Sequence, residues 1–443
     1  MAGRPNLLIL HTDQQSAWTL GAYGGRLVGT PNADRIAREG AVFANFFTNS
    51  ALCTPSRGCF FTGRYPHCHG AYDNNIELNR DEVTLAHLLA MAGYETGYAG
   101  KWHLDGPPKP GWLTPQRSMG FAHCRGMFNR GHYKKVAERD GGPPDLAALD
   151  GPGRYMTDWL ADKTIECLGT ASRPFFWTVS FPDPHTPFNV RQPFASMYDP
   201  ADMPVPGSFR QEGLPGWAER ARGAYDGKAA EAGLSPEGLL QRNKAAYCGE
   251  VRCIDENVGR ILECLERRGL LDETVVVFTT DHGEYMGEHG LYHKNHVYET
   301  AYRIPLLVRF PAGVRRGTIV DRCVSTVDFQ QTILGLLGVA PSGAEQGRDA
   351  SPLLRGQEIE WADEAFIHHS TFGFAGIFTR QHQLCLARCG DHVFFDRLGD
   401  PGQVTNLITE PSHRRVREEL AARIVDHNRR LDSPAMAWLE KVT

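Results

Sequence analysis

Three short, almost unbroken apolar runs limit the fold more than any other feature of the chain. They span residues 6–11, 174–181 and 273–280, and the last contains Val-Val-Val-Phe. Each is too short to cross a membrane and too uniformly apolar for a strand with one wet face. Such runs read as strands covered on both sides, the pattern of a parallel sheet between helices. Each run also ends abruptly in polar residues that can carry chemistry. Thr12-Asp13-Gln14-Gln15 follows the first, Asp183-Pro184-His185 the second and Asp281-His282-Gly283-Glu284 the third. In open α/β sheets ligands gather at the carboxyl ends of strands, so these distant residues can meet on one edge.

Helical patterns separate the runs. Thr30-Pro31 opens one that Gly40 closes, and residues 84–92 place Leu85, Leu88, Leu89 and Ala92 on one face. Residues 155–168, 238–268 and 327–337 give three more, and further strands are expected at 41–47, 94–99 and 302–310. The Gly- and Pro-rich stretch 105–131 reads as a surface excursion, 133–150 as polar and exposed, and 190–235 as an irregular loop. Beyond a composition shift at 343–360, short strands at 364–370, 376–378, 383–387 and 392–396 precede an amphipathic helix over 412–428. The expectation is an α/β protein. A large, mostly parallel sheet flanked by helices occupies 1–345, and a small α+β subdomain of antiparallel strands and a helix occupies 346–443.

Charge and cysteine usage exclude several classes. With 47 basic against 52 acidic residues, nucleic acid is not an expected partner. The 11 cysteines are odd in number and form no Cys-x-x-Cys pair, which argues against a disulfide framework and for a reducing compartment. No stretch has the length of a signal-peptide core or a membrane span, so a cytoplasmic protein without membrane contact is expected.

The chemistry centres on residues 50–66. Thr54 suits an N-cap and Pro55 a first helical position, so a short helix is expected to begin just after Cys53 and close near Gly63. That places Cys53 where backbone N–H groups favour negative charge, with Arg57 one turn away. Lys101 and His103, two apart in an extended segment, point the same way. Asp13, Asp281 and His282 mark strand ends for one divalent cation, while Arg57, Lys101 and Lys294 supply positive charge around it. Such a set suits a tetrahedral oxyanion ester, whose charge spreads onto non-bridging oxygens in the transition state. His289, His293 and His296 could suggest zinc instead, but the acids form a harder, oxygen-rich site.

Cys53-Thr54-Pro55-Ser56-Arg57, followed by Thr62-Gly63-Arg64, resembles the signature of the type I sulfatases in the alkaline-phosphatase superfamily. The resemblance implies an alkaline-phosphatase-like fold and oxidation of Cys53 to Cα-formylglycine by a formylglycine-generating enzyme, the hydrated aldehyde being the nucleophile. It implies that Asp13, Gln14, Asp281 and His282, with residue 53, hold the cation, Ca2+ first and Mn2+ or Mg2+ as alternatives. The family generally has two adjacent aspartates where this chain has Asp13-Gln14, the form carried by choline sulfatases and phosphonate monoester hydrolases. Gly70-Ala71-Tyr72-Asp73-Asn74 resembles a run of the choline sulfatases and implies Asn74 beside the ester. By the same resemblance Lys101 and Lys294 bind sulfate oxygens, His185 protonates the leaving oxygen, and His103 is the base that releases sulfate. The implied activity is hydrolysis of a small-molecule sulfate monoester. Phosphonate monoester or phosphodiester hydrolysis is the alternative, and a silent protein that binds sulfated ligands is a third reading. The alcohol released (choline, aryl or sugar) and the oligomeric state, homo-oligomer included, stay open.

Overall fold

The computed structural model describes residues 4–107, 111–139, 144–147, 153–171 and 174–442. Eight strands form the large sheet: β1 (Asn6–Thr12), β2 (Ala41–Phe43), β3 (Glu95–Lys101), β4 (His123–Phe128), β5 (Phe175–Ser180), β6 (Thr274–Thr280), β7 (Leu306–Arg309) and β8 (Thr318–Val320). Their spatial order is β8-β2-β7-β6-β1-β5-β3-β4. All neighbours run parallel except β7, which is antiparallel to both β6 and β2.

The apolar runs do what their composition requires. Side chains alternate across a strand, so β1 sends Leu7 and Ile9 into one core and Leu8 and Leu10 into another. β6 does the same with Val275 and Val277 against Val276 and Phe278. On the first face lie α2 (Cys53–Thr62), α3 (Leu85–Met91) and α7 (Thr326–Leu337), through Phe60, Leu89 and Ile333. On the second lie α1 (Pro31–Glu39), α4 (Met156–Thr170) and α6 (Pro236–Arg267), through Ile36, Leu160 and Ile261. Fully burying one such side chain is worth roughly 1.5–3 kcal/mol, so the two cores fix this three-layer order.

A second sheet of β9 (Glu364–His368), β10 (Phe374–Thr379), β11 (His382–Ala387) and β12 (Val393–Asp396) is antiparallel throughout. One face packs on α8 (Arg414–Arg430) and α9 (Met436–Val442), through Leu420, Ile424 and Leu439. The other buries Phe378 and Phe395 with Phe47, Tyr298 and Tyr302.

The loop expectations need correction in three places. The stretch 105–131 contains β4, which pairs parallel with β3 and closes the sheet edge. Within 133–150, Lys134 is buried, and Lys135–Ala137 pairs with both Asp145–Ala147 and Arg154–Tyr155. Residues 108–110, 140–143 and 148–150 of these stretches lie outside the described residues. Within 190–235 runs α5 (Gly216–Glu231). Its three glycines lower helix propensity, and it is held by burial of Trp217, Ala218, Tyr225 and Ala229. The expected strand 41–47 divides between β2 and Phe46–Phe47, which pairs with Val324–Ser325. The expected strand 302–310 begins only after Pro305.

Candidate active site

Sheet register assembles the site. Thr12 pairs with Thr280, so Asp13 and Asp281 leave adjacent strands side by side. The N–H groups of Gln14 (2.9 Å) and His282 (3.0 Å) both donate to Asp281 Oδ1. On the other side Ser180 pairs with His11 and with Gly100, which delivers Lys101 to the same edge. Gly100 has φ +106°, and a Cβ there would lie 1.9 Å from the Ser180 carbonyl oxygen. Only glycine permits this approach of β3 to β5.

The nucleophile helix α2 begins at Cys53 itself, and its N-cap residue Leu52 makes no side-chain cap. The expectation that Thr54 is the cap is therefore corrected. Thr54 N–H donates to Asn74 Oδ1 at 3.1 Å, and Thr54 Oγ1 donates to the His103 carbonyl at 2.9 Å. Asn74 thus satisfies one of the orphan N–H groups of the helix from outside, and His103 is tied to the same turn. Gly63 (φ +66°) ends the helix as expected.

Cys53 Sγ lies 3.1 Å from His282 Nε2, 3.8 Å from Asp13 Oδ1 and 3.9 Å from Lys101 Nζ. Ligand atoms of Asp13, Cys53, Asp281 and His282 fall within 4.8 Å of one another, and all four residues are buried. Arg57 braces both acids, with Nη2 3.1 Å from Asp13 Oδ2 and Nε 2.9 Å from Asp281 Oδ2. Lys101 Nζ is 2.5 Å from Asp13 Oδ2. Burial opposes the charge on Asp13, but Lys101, His185 and Arg57 outweigh it and hold the carboxyl well below its usual value. Burial and Asp13 oppose ionisation of the Cys53 thiol, yet Lys101, Lys294 and His282 bring it below the ordinary range. For His282, burial is outweighed by Asp281 and Cys53, which raise its pKa.

Across from the cluster, Lys294 Nζ is 2.6 Å from His185 Nε2 and also donates to Gln14 Oε1. The Gln14 amide nitrogen donates to Glu284. Gln14, His103 and His293 all have positive φ, at 66°, 62° and 64°. Such backbone is costly for residues with a Cβ, and its concentration here fits a site held by its surroundings.

The donor set fits a hard divalent cation. Two buried carboxylates supply oxygens and His282 supplies a nitrogen, while residue 53 faces the same point. The structure brings Asp13, Cys53, Arg57, Lys101, Asp281 and His282 into one cluster and sets His185, Lys294 and Gln14 beside it. His103 and Asn74 join through the first turn of α2.

Fold and site together define a hydrolase for an oxyanion ester, built at the strand ends of a mostly parallel sheet. The sulfatase family model matches residues 5–339, and a model for the C-terminal part of N-sulphoglucosamine sulphohydrolase matches 287–430. The chain belongs to the sulfatase family. It is 28% identical to an N-acetylglucosamine-6-O-sulfatase of Bacteroides thetaiotaomicron, over 94% of this chain and 85% of that protein. Among solved structures, one with its substrate D-glucosamine-2-N,6-O-disulfate superposes with TM-score 0.81 at 26% identity, covering 96% of this chain and 98% of the other. The phosphonate monoester hydrolase of Agrobacterium radiobacter gives 0.77 at 25%, covering 96% and 95%.

Three neighbours of the site carry no motif. Ser180 Oγ accepts from Arg57 Nη1 at 2.9 Å, His132 stacks on His185, and Lys134 reaches the His185 carbonyl. Ser180 was findable as the last residue of a buried strand. From the sequence His132 reads as a loop aromatic that could wall a pocket or pin the loop down, while Lys134 lies in a stretch, 133–150, whose polarity reads as solvent exposure.

Proposed function

We propose that this sulfatase cleaves a sulfate monoester with formylglycine, formed from Cys53, at a site for one divalent cation. The convergence of Cys53 Sγ on Asp13, His282 and Lys101, with the His185–Lys294 pair opposite, carries this reading. Asp13, Asp281, His282 and residue 53 would hold the cation, with Gln14 adjoining. The cation would supply Lewis acidity toward the ester, and the hydrated aldehyde would supply the nucleophile. Lys101 and Lys294 bind the non-bridging oxygens and neutralise charge that grows in the transition state. His185 Nε2 takes a proton from the Lys294 ammonium and passes it to the departing alcohol oxygen, so that the leaving group departs as the neutral alcohol. His103 takes the proton whose removal expels sulfate and restores the aldehyde. Asn74 keeps the first turn of α2 in place while it lies beside the ester. Maturation would require a formylglycine-generating enzyme as partner.

The relatives that act on N-acetylglucosamine 6-sulfate and glucosamine disulfate favour a sulfated hexosamine as substrate. The Asp13-Gln14 pair and the phosphonate monoester hydrolase fold match support phosphorus-ester cleavage as the second reading. Specificity constants on matched sulfate monoesters, phosphonate monoesters and phosphodiesters decide between them. A sulfate preference is expected, and a phosphonate preference would overturn it. Cys53→Ala is expected to lose several orders of magnitude in turnover on an aryl sulfate; retention of most activity would remove residue 53 from the chemistry.

A further inference from the structure

The segment after β4 passes directly over His185. The His132 ring lies flat on the His185 ring, with centroids 3.6 Å apart and planes inclined by 8°. His132 Nε2 is 3.3 Å from Lys101 Nζ. An ammonium can only donate, so this nitrogen accepts. Two residues on, the buried Lys134 ammonium donates to the His185 carbonyl (3.1 Å), to Asp183 Oδ1 (2.5 Å) and to Glu250 Oε1 (2.7 Å). All three of its protons are used, and one goes to the backbone of the acid itself. Asp183 is held in turn by Tyr155 Oη at 2.6 Å and by Thr157 Oγ1, and its carbonyl accepts the Asp13 N–H at 3.1 Å. Glu250 Oε1 also accepts the Asn189 N–H at 2.7 Å, just beyond the His185 loop.

A buried ion cluster of this kind is a poor way to gain stability, since well-packed apolar residues often do as well or better. Its geometric result is specific. Thr186 O lies 2.7 Å from His185 Nδ1, so Nδ1 carries a proton, and Nε2 faces the site and accepts from Lys294 the proton that it passes to the leaving oxygen. With Lys134 below and the His132 face alongside, backbone height, ring plane and tautomer of His185 are each set by a separate contact.

We propose that His132 and Lys134 are positioning residues for His185: Lys134 fixes its backbone and His132 the plane of its ring, while His132 Nε2 orients the Lys101 ammonium. This rests on His185 as the acid for the leaving oxygen. A donor held out of line costs most when the leaving group is poor, because a good one needs no proton. The test compares kcat/KM on phenyl sulfate and 4-nitrophenyl sulfate, using enzyme matured with a formylglycine-generating enzyme.

His132→Ala is expected to lose about 10-fold or more on phenyl sulfate beyond its loss on 4-nitrophenyl sulfate. His132→Phe keeps the stacking face and should keep the wild-type ratio between the two substrates, even as both rates fall through Lys101. His132→Asn keeps an acceptor without the face and should behave like His132→Ala. Lys134→Arg, which cannot set one ammonium on all three acceptors, is also expected to widen the ratio. Equal losses on both substrates for His132→Ala, or a widened ratio for His132→Phe, would overturn the role of His132. An unchanged ratio in Lys134→Arg would overturn that of Lys134. His185→Ala separates the two levels. If it loses both substrates equally, the acid assignment fails; if it widens the ratio and His132→Ala does not, only the positioning role fails.

Discussion

Replacing Arg57 by leucine tests whether one guanidinium holds the two acids together. Arg57 has no solvent exposure and binds Asp281 Oδ2 (2.9 Å), Asp13 Oδ2 (3.1 Å), Ser180 Oγ (2.9 Å) and the Lys101 carbonyl (2.6 Å). The carbonyl would not be stranded, because Tyr98 Oη and Ser180 Oγ also donate to it at 2.6 and 2.8 Å. Asp13 would keep Lys101, whereas Asp281 would keep the Gln14 and His282 N–H groups on Oδ1 and, as its one ion-pair partner among the described residues, the His282 ring at 3.6 Å. The cost is therefore that of one broken buried ion pair, about 3–5 kcal/mol. Unfolding entropy of about 2.1 cal/mol/K per residue gives roughly 0.9 kcal/mol/K for a chain of 443 residues. Thermal unfolding in chelator should then show Tm lower by about 3–5 °C in Arg57→Leu. Arg57→Lys should recover less than half of this, because a point charge cannot span both carboxylates. An unchanged or higher Tm in Arg57→Leu would refute the reasoning.

Two further outcomes follow from the structure. His368 is buried, with no hydrogen-bond partner for either ring nitrogen among the described residues, beside Tyr65, His67 and His427, and burial followed by His67 lowers its pKa to about 3. A depressed histidine gives stability that is full above its unfolded pKa near 6.5 and is lost as pH falls toward 3. Between those values His368→Phe should reduce the pH slope of urea-unfolding free energy by up to about 1.4 kcal/mol per unit; coincident slopes would contradict this. Helix propensity alone expects Gly58→Ala in α2 to stabilise by about 1 kcal/mol. A Cβ there would sit 2.3 Å from the His69 ring, so a loss of roughly 1–3 kcal/mol is expected in chemical denaturation, and a gain would show that the ring yields freely.

What could be read from the sequence was what depends on local pattern. The runs at 6–11 and 273–280 became β1 and β6 because a strand buried on both faces leaves no other composition. Their register then placed Asp13 beside Asp281, so a strand-end argument reached the site across most of the chain. The start of α2 was misread because its cap comes from Asn74, a tertiary contact that no local signal reveals. Helix α5 was missed because Gly216, Gly223 and Gly227 weaken its pattern, and only packing of Trp217 and Tyr225 holds it. Lys134 was assigned to an exposed segment on composition, although partners as distant as Glu250 make its burial tolerable.

The central claim is that Asp13, residue 53, Asp281 and His282 surround a single cation. Anomalous diffraction from crystals of this protein grown with Mn2+ addresses it directly. The account predicts one strong peak at about 2.0–2.6 Å from oxygens of Asp13 and Asp281, and within ligand reach of His282 and residue 53. A peak confined to another part of the molecule, or none at saturating Mn2+, would contradict it.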